Sequence, residues 1–334
     1  MTGTALTGIM LITKRMFFPR FRVTSGAFLR KGRRGDTIQA MKILNYGSMN
    51  VDYVYEVSHI VRGGETIHAR GRNIYPGGKG LNQSIAAARA GGDVYHIGVL
   101  GADGQVLEKA LKENRIHMDH IKRVSGNSAH TVIQVDQNGQ NCIIVFAGKD
   151  ITFTEGEMDE ILTHFDTGDA VIFQNELDGS PVFMQKAADA GLVIIFNPSP
   201  MEDAVFSYPL DQVSWFVVNE IEGSALTGET EPERILDAMQ KKYPRAGVVL
   251  TLGREGAWAM HGEERVFQPA FPVKAVDTTA AGDTFMGYFV TGMLCGEPLK
   301  SVLARAAKAS SIAVSRPGAA VSIPTAEEVE QKPD

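Results

Sequence analysis

From Met41 onward, short apolar runs alternate with stretches whose apolar residues recur at helical spacing, and few architectures can bury such a pattern. The strand candidates fall at 43–46, 94–100, 170–174, 192–197, 215–219 and 248–252. Helical patterns near 80–91, 104–115, 155–165, 181–190 and 231–243 separate them. Strands joined through helices predict a mostly parallel sheet with helices on both faces. In such sheets ligands bind outside the carboxyl ends of the strands. Two stretches, 51–75 and 131–146, alternate with period two instead, the second turning at Asp136-Gln137-Asn138-Gly139. They predict a small β lid, with lid strands roughly 51–76 and 129–147, over the site. An exposed lid has free edges and one apolar face, so pairing with a second copy, as a homodimer through the lid, is the expected way to cover it.

Apolar residues make up 44% of the 334, enough for a sizeable core, and the formal charge is −6. That balance, without a compact Lys/Arg stripe after Met41, argues against a nucleic-acid partner. The first forty residues differ: Lys14, Arg15, Arg20, Arg22, Arg30, Lys31, Arg33 and Arg34 face the single acid Asp36, with no orderly period. They read as a basic extension outside the fold, transit-peptide-like or simply a tail, leaving 41–330 as one domain. No apolar run is long enough to span a membrane, and a cytoplasmic location is expected. Cys142 and Cys295 lie far apart in apolar runs, which predicts buried reduced thiols rather than a disulfide framework or metal site.

The stretch Asp277-Thr278-Thr279-Ala280-Ala281-Gly282-Asp283-Thr284-Phe285 carries the most chemistry. Phe285, Met286, Phe289, Val290, Met293 and Leu294 recur at helical spacing, which puts Gly282 and Asp283 where a buried helix begins. First-turn amides have no partner inside a helix, and the aligned peptide dipoles place about half a positive charge there. Small residues at Ala280, Ala281 and Gly282 let a phosphate reach those amides. A carboxylate at Asp283 repels that phosphate unless it has a task. The expected task is to take a proton from a substrate hydroxyl as it attacks the γ-phosphate of a nucleotide. An Asp cap on an ordinary core helix is the alternative.

Further polar clusters follow the strands. Asn50 and Asp52 lie two apart after the first strand, on one side of an extended segment, where they can hold neighbouring hydroxyls of a polyol or merely form an Asx turn. Gly77-Gly78-Lys79-Gly80-Leu81-Asn82-Gln83 leads into a helix. It is neither a Walker-type loop, which needs Ser or Thr after its Lys, nor a dinucleotide fingerprint, since Gln83 stands where the third glycine belongs. It suits close backbone approach to a small polar ligand, with Lys79 and Asn82 adding hydrogen bonds, or a plain helix-entry turn. Glu176 and Asn197 lie at the ligand end of the sheet. Glu222, in Asn219-Glu220-Ile221-Glu222, can act through water on Mg²⁺ or cap the helix. Thr251 to Gly256 form a glycine turn suited to nucleotide. His117 and His120 lack a third ligand and read as ordinary histidines.

Together, the motifs GSMNVD (47–52), GGKGLNQSIAAARAGG (77–92), NEIEGSALTG (219–228), TLGREG (251–256), DTTAAGDTF (277–285) and RPGAAVS (316–322) resemble the PfkB or ribokinase-like carbohydrate kinases. The resemblance covers nearly everything after Met41, and it implies a three-layer α/β/α fold with a β lid. It implies ATP-dependent phosphorylation of a sugar hydroxyl, with D-ribose to ribose 5-phosphate expected, Asp283 as general base, and the amides of Ala281, Gly282 and Asp283 as anion hole. Asn50, Asp52, Gly78, Lys79, Asn82 and Glu176 would contact the sugar, and Asn219, Thr251, Gly253 and Gly256 the ATP. Asn219 and Glu222 match the pattern linked to Mg²⁺. Asp277, Thr279, Ala313, Arg316, Gly318 and Ser322 match loops that hold a monovalent cation such as K⁺, several through carbonyls. Gly63 stands where a Pro is usual, Lys149 and Asp150 replace an Ala-Asn at the pocket rim, and Ala307 replaces a His near adenine. These departures bear on the sugar and the base more than on catalysis. A kinase for another sugar or a nucleoside, or a non-catalytic sugar-binding regulator, remains a reading of the same motifs.

Overall fold

A computed structural model describes residues 41–148 and 152–332. The basic stretch 1–40, and Lys149 and Asp150, lie outside the described residues. β1 (Lys42–Tyr46) leads into the lid strands β2 (Asn50–Glu56) and β3 (Gly71–Gly77), and the chain returns through α1 (Lys79–Arg89) to β4 (Asp93–Leu100). After α2 (Gln105–Glu113) and β5 (Ile121–Arg123) it visits the lid again as β6 (His130–Val135) and β7 (Asn141–Phe146). The second half adds α3 (Glu155–Leu162), β8 (Ala170–Phe173), α4 (Ser180–Asp189), β9 (Val193–Phe196), β10 (Trp215–Asn219), α5 (Glu220–Thr227), α6 (Pro232–Lys242) and β11 (Gly247–Thr251). It closes with β12 (Gly256–His261), β13 (Glu264–Pro269), α7 (Ala281–Leu294), α8 (Leu299–Ala313) and α9 (Ala326–Gln331).

The main sheet runs β13-β12-β11-β10-β9-β8-β1-β4-β5. It is parallel from β11 to β5 and antiparallel only at the β11–β12–β13 edge. Successive residues of one strand face opposite layers. Ile43 therefore packs with α1, α7 and α8, whereas its neighbour Leu44 packs with α3, α4 and α6. The expected strands and helices of the main layers are present with ends within three residues. The edge strands β5, β12 and β13 and the helices α8 and α9 were not anticipated.

The lid is a separate four-stranded sheet, β3-β2-β6-β7, in which β2 and β6 are parallel neighbours and the outer pairs antiparallel. Its first hairpin is less continuous than the alternation implied, because 57–70 is irregular. Within that segment Glu65 accepts from the Arg62 amide at 3.0 Å, closing a turn where a Pro would otherwise stiffen the chain. β7 is an edge strand exposed along its whole length, with Ile144 60% and Val145 63% exposed. One expectation is corrected here: Cys142 lies on β7 and is exposed, and Cys295 is only half-buried. An apolar run on a free edge leaves both faces uncovered, which sequence period alone does not reveal. Burial pushes the Cys295 thiol up to about 12.

The end of β1 and the start of α1 are fused through two glycines. A Cβ on Gly47 would lie 2.5 Å from the Gly80 Cα, and one on Gly80 would lie 2.5 Å from the Gly47 Cα. Such contact excludes any side chain at either position. It brings the strand's polar exit against the first turn of the helix.

Candidate active site

The segments 47–52, 174–176, 219–222 and 251–256 follow the carboxyl ends of the parallel strands β1, β8, β10 and β11, whereas 77–83 leaves the lid strand β3. Gly78, with φ +96°, turns the chain from β3 into α1, and the backbone of Ser48 accepts from the Leu81 amide at 2.9 Å. Lys79 is thereby the first residue of α1, with Asn82 and Gln83 in its first two turns. α7 lies directly against α1: a Cβ on Gly287 would meet the Ala86 Cβ at 2.4 Å. That close approach sets Asp283, in the first turn of α7 and 8% exposed, against the α1 side chains. Asn82 Nδ2 donates to its Oδ2 at 3.0 Å, and Gln83 Nε2 donates to its Oδ1 at 3.0 Å.

Burial pushes the Asp283 carboxyl above its ordinary range, and the Lys79 charge and the two amide donors oppose that rise. The acid is thus ionisable yet more basic than a free carboxylate. The Lys79 charge acts also on Glu176 and Glu222, both of which burial pushes up. One ammonium faces three carboxylates. Glu176 is held by the Ser48 hydroxyl at 2.5 Å. Asn50 pairs with Gly77 across β2 and β3, and Asp52, which accepts from Thr131 at 2.6 Å, is pushed by burial to about 6. A cleft of about 700 Å³ between lid and strand ends is lined by Ser48, Asn50, Glu176, Val145, Pro200 and Tyr208 among others. Asp283 is not among the residues that line it, nor are Asp52, Gly78, Lys79, Asn82 and Gln83.

α7 begins at Ala280 with no side-chain cap, and nothing lies within 4 Å of where a Gly282 Cβ would be. Of the three expected anion-hole amides, that of Ala281 donates to the Thr278 carbonyl at 3.2 Å, a long turn contact. On the neighbouring strands, Asn219 and Thr251 are register partners at the ends of β10 and β11. Glu222 is buried and does cap α5: its Oε2 accepts from the Asn219 amide at 3.0 Å and from Asn197 Nδ2 at 3.3 Å. Gly253 (φ +52°) is open, whereas a Cβ on Gly256 would strike the Gln268 carbonyl at 2.1 Å. The need for glycine at 256 therefore comes from the β12–β13 hairpin.

The two cation-loop segments meet. Asp277 Oδ1 accepts from Thr279 through both its amide (2.9 Å) and its hydroxyl (2.5 Å), and Oδ2 accepts from the Gly318 amide at 3.0 Å. Burial raises the Asp277 carboxyl, but these donors outweigh it and leave the net shift downward. The Val314 carbonyl accepts from the Val276 amide at 2.7 Å, and the Ala281 carbonyl accepts from Ser310 at 3.0 Å. The Arg316 guanidinium is engaged with Glu328 at 2.6 Å and the Ser322 hydroxyl with the Ala319 carbonyl at 2.8 Å. The Arg316 charge is thus directed to Glu328.

Sequence reading missed the polar residues behind Asp283. Asn45, Ser84 and His96, all fully buried, and Gln174, 1% exposed, join Gln83 in one hydrogen-bonded group. The available signal was a polar residue inside an apolar strand, as with Asn45 in β1 and His96 in β4. His117 stacks on Tyr95 at 4.1 Å and bonds Asp93, and His120 stacks on His164. No group of three or more His, Cys, Asp or Glu that could hold a metal occurs among the described residues. Nor is any helix among them long and apolar enough to cross a membrane.

Residues 40–326 match the pfkB family of carbohydrate kinases. The ribokinase of Schizosaccharomyces pombe is 34% identical over 313 residues, covering 87% of this chain and 97% of that protein. The ribokinase of Bacillus subtilis is 32% identical, covering 85% of this chain and 97% of its own length. Among solved structures, Arabidopsis thaliana ribokinase complexed with ribose and ATP superposes with a TM-score of 0.77 at 30% identity, covering 88% of this chain and 98% of that one. With its parallel sheet, its lid and its acid at the head of α7, the chain belongs to the pfkB family of carbohydrate kinases.

Proposed function

We propose that the protein is an ATP-dependent sugar kinase that transfers the γ-phosphate to the primary hydroxyl of D-ribose, giving ribose 5-phosphate and ADP. The observation that carries this reading is the placement of Asp283: an acid raised by burial, gripped by Asn82 and Gln83, in the first turn of an uncapped helix. The ribokinase relatives and the ribose and ATP complex support the choice of sugar and nucleotide. The kinase domain spans 41–330, with 1–40 outside it, and the protein acts in the cytoplasm.

Asn50, Asp52 and Glu176 accept from sugar hydroxyls, with Gly78, Lys79 and Asn82 completing the grip. Asp283 removes the proton of the attacking hydroxyl as its oxygen bonds to the γ-phosphorus. The bond from that phosphorus to the β-γ bridging oxygen breaks, and ADP leaves with the electron pair. Charge building on the transferred group is met by the amides of Gly282 and Asp283, and by that of Ala281 once it leaves Thr278. Positioning and such preorganised dipoles supply most of the rate in phosphoryl transfer. Asn219, Thr251, Gly253 and Gly256 flank the nucleotide. Glu222, buried and accepting from the Asn219 amide and Asn197 Nδ2 through Oε2, would hold Mg²⁺ through water, which would neutralise phosphate charge. Asp277, Thr279 and Ser322, with main-chain carbonyls of Ala313, Arg316 and Gly318, would hold a weakly hydrated monovalent cation such as K⁺, which would add positive potential at the anion hole. Two copies associate through their lids.

A panel of ribose, 2-deoxyribose, fructose, adenosine and inosine, read by coupled ADP release, tests the assignment. Ribose should give the highest kcat/KM. Turnover with a nucleoside alone would move the protein to another branch of the family, and none with any acceptor would end the kinase reading.

A further inference from the structure

The amide that holds Asp283 is itself held, and the direction of every hydrogen bond behind it is forced. Asn45 Nδ2 donates to the Gly80 carbonyl at 2.8 Å. A carbonyl only accepts, so the orientation of the Asn45 amide is fixed, and its Oδ1 must receive a donor. That donor is Gln174 Nε2 at 3.0 Å. The second hydrogen of the same nitrogen goes to Gln83 Oε1 at 2.7 Å. With Oε1 occupied, Gln83 has only its Nε2 to present to Asp283. The far end agrees: the Gly47 carbonyl fixes the proton on His96 Nε2 (3.1 Å), so Nδ1 accepts from Ser84, whose oxygen accepts from Asn45. Burial pushes His96 down to about 4, which keeps this neutral form at working pH.

We propose that Gln174 is a positioning residue for the transfer reaction: it locks the Gln83 amide nitrogen-first against Asp283. Gln174 touches neither Asp283 nor the sugar. Its own Oε1 is buried without a hydrogen-bond partner, beside Gly47, where a Cβ would lie 2.4 Å away. Without Gln174 the Gln83 Oε1 loses its donor, and the amide is held nitrogen-first only through Asp283 itself and a 3.5 Å contact to Asn197 Oδ1. A buried oxygen left without a donor draws the side chain out of line with the carboxylate. The charged groups facing Asp283 are Lys79 from α1 and Glu176 from the loop after β8, and both stay in place.

The inference rests on Asp283 as the base, and a double-mutant cycle separates the two claims. Gln174→Met is expected to lower kcat about tenfold with ribose KM nearly unchanged, as a misaligned catalytic group does. It should also move the acid limb of the pH–kcat/KM profile to higher pH, because a donor that lowers the Asp283 carboxyl is lost. Gln83→Met should do the same, and adding Gln174→Met to Gln83→Met should change kcat by less than about twofold, since both act through one contact. Additive losses, or an unmoved acid limb, would overturn the proposal. Near-normal turnover of Asp283→Asn would instead overturn the base assignment. Gln174→Asn, which keeps an amide but withdraws it from Gln83, should shift the limb in the same direction and serves if the Met variant does not fold.

Discussion

Asn82, in the second position after Gly80 in α1, donates to Asp283 Oδ2 across 201 residues of chain, and the contact exists because Gly287 lets α7 lie on Ala86. The first turns of α1 and the acid of α7 are therefore brought together by helix packing rather than by a shared loop.

Gly287→Ala tests that dependence. A methyl there would sit 2.5 Å from the Ala87 amide nitrogen, so α1 and α7 must separate. Overpacking of this kind costs about 1–3 kcal/mol, and each kcal/mol lowers Tm by roughly 2–4 °C in a domain of this order. Calorimetry should show that loss, with kcat falling more than KM rises.

Asp283→Asn removes the proton acceptor while keeping the side chain's size. A general base contributes about 10²- to 10⁴-fold, so kcat should fall by at least that range. ATP affinity measured by calorimetry should stay close to the parent's. Turnover within a few-fold of the parent would show that Asp283 is not the base.

Assays in matched chloride salts at constant ionic strength probe the loops joined by Asp277 and Gly318. KCl should stimulate several-fold over NaCl, and Asp277→Asn, which loses one of its acceptor oxygens, should erase the difference. Equal rates in the two salts for the parent protein would remove the cation from the mechanism.

Burial holds Asp52 at about 6, above the ordinary carboxylate value, so the folded chain keeps this proton to higher pH than the unfolded one. Its contribution to stability is full below the unfolded value and is lost as pH rises through about 6. Asp52→Asn abolishes the titration. In the absence of sugar the variant should melt higher than the parent near neutral pH, by roughly 1–2 kcal/mol after screening, and converge with it below the unfolded carboxylate range. A constant offset across pH would mean that the charge of Asp52 carries no such cost.

β7 offers Ile143, Ile144, Val145 and Phe146 to solvent on a free strand edge. Sedimentation velocity should give twice the 36.2 kDa chain mass for the parent. Ile144→Glu should sediment as the single chain, because a charge on that apolar strand opposes burial. A monomeric parent would rule out lid pairing.

The parallel sheet was legible because its central strands are buried on both faces and read as unbroken apolar runs, and because β4, β8 and β10 are each followed by a helix. The edge strands β12 and β13 lack that double burial and left no comparable trace. The head of α7 was legible from three small residues and an acid placed before an apolar helix. What sequence could not give is contact between distant polar side chains. Asn45, Gln174 and Gln83 are each unremarkable in the chain, and their significance arises only where β1, β8 and α1 converge. Gly287 likewise looks like a weak helix former until the backbone of α1 is found against it. The capping role of Glu222 was anticipated as an alternative to a metal role, and its Oε2 does accept from the Asn219 amide.

The mutual contact of Gly47 and Gly80 means that the wall of the cleft at Gly47 is bare backbone backed by bare backbone, with no atom that substitution could trim away. Room for a bulkier guest can be carved only from the other walls, in β7 of the lid and in the loops after β8 and β9. Attempts to retarget the protein should randomise those walls and leave the glycine seam untouched.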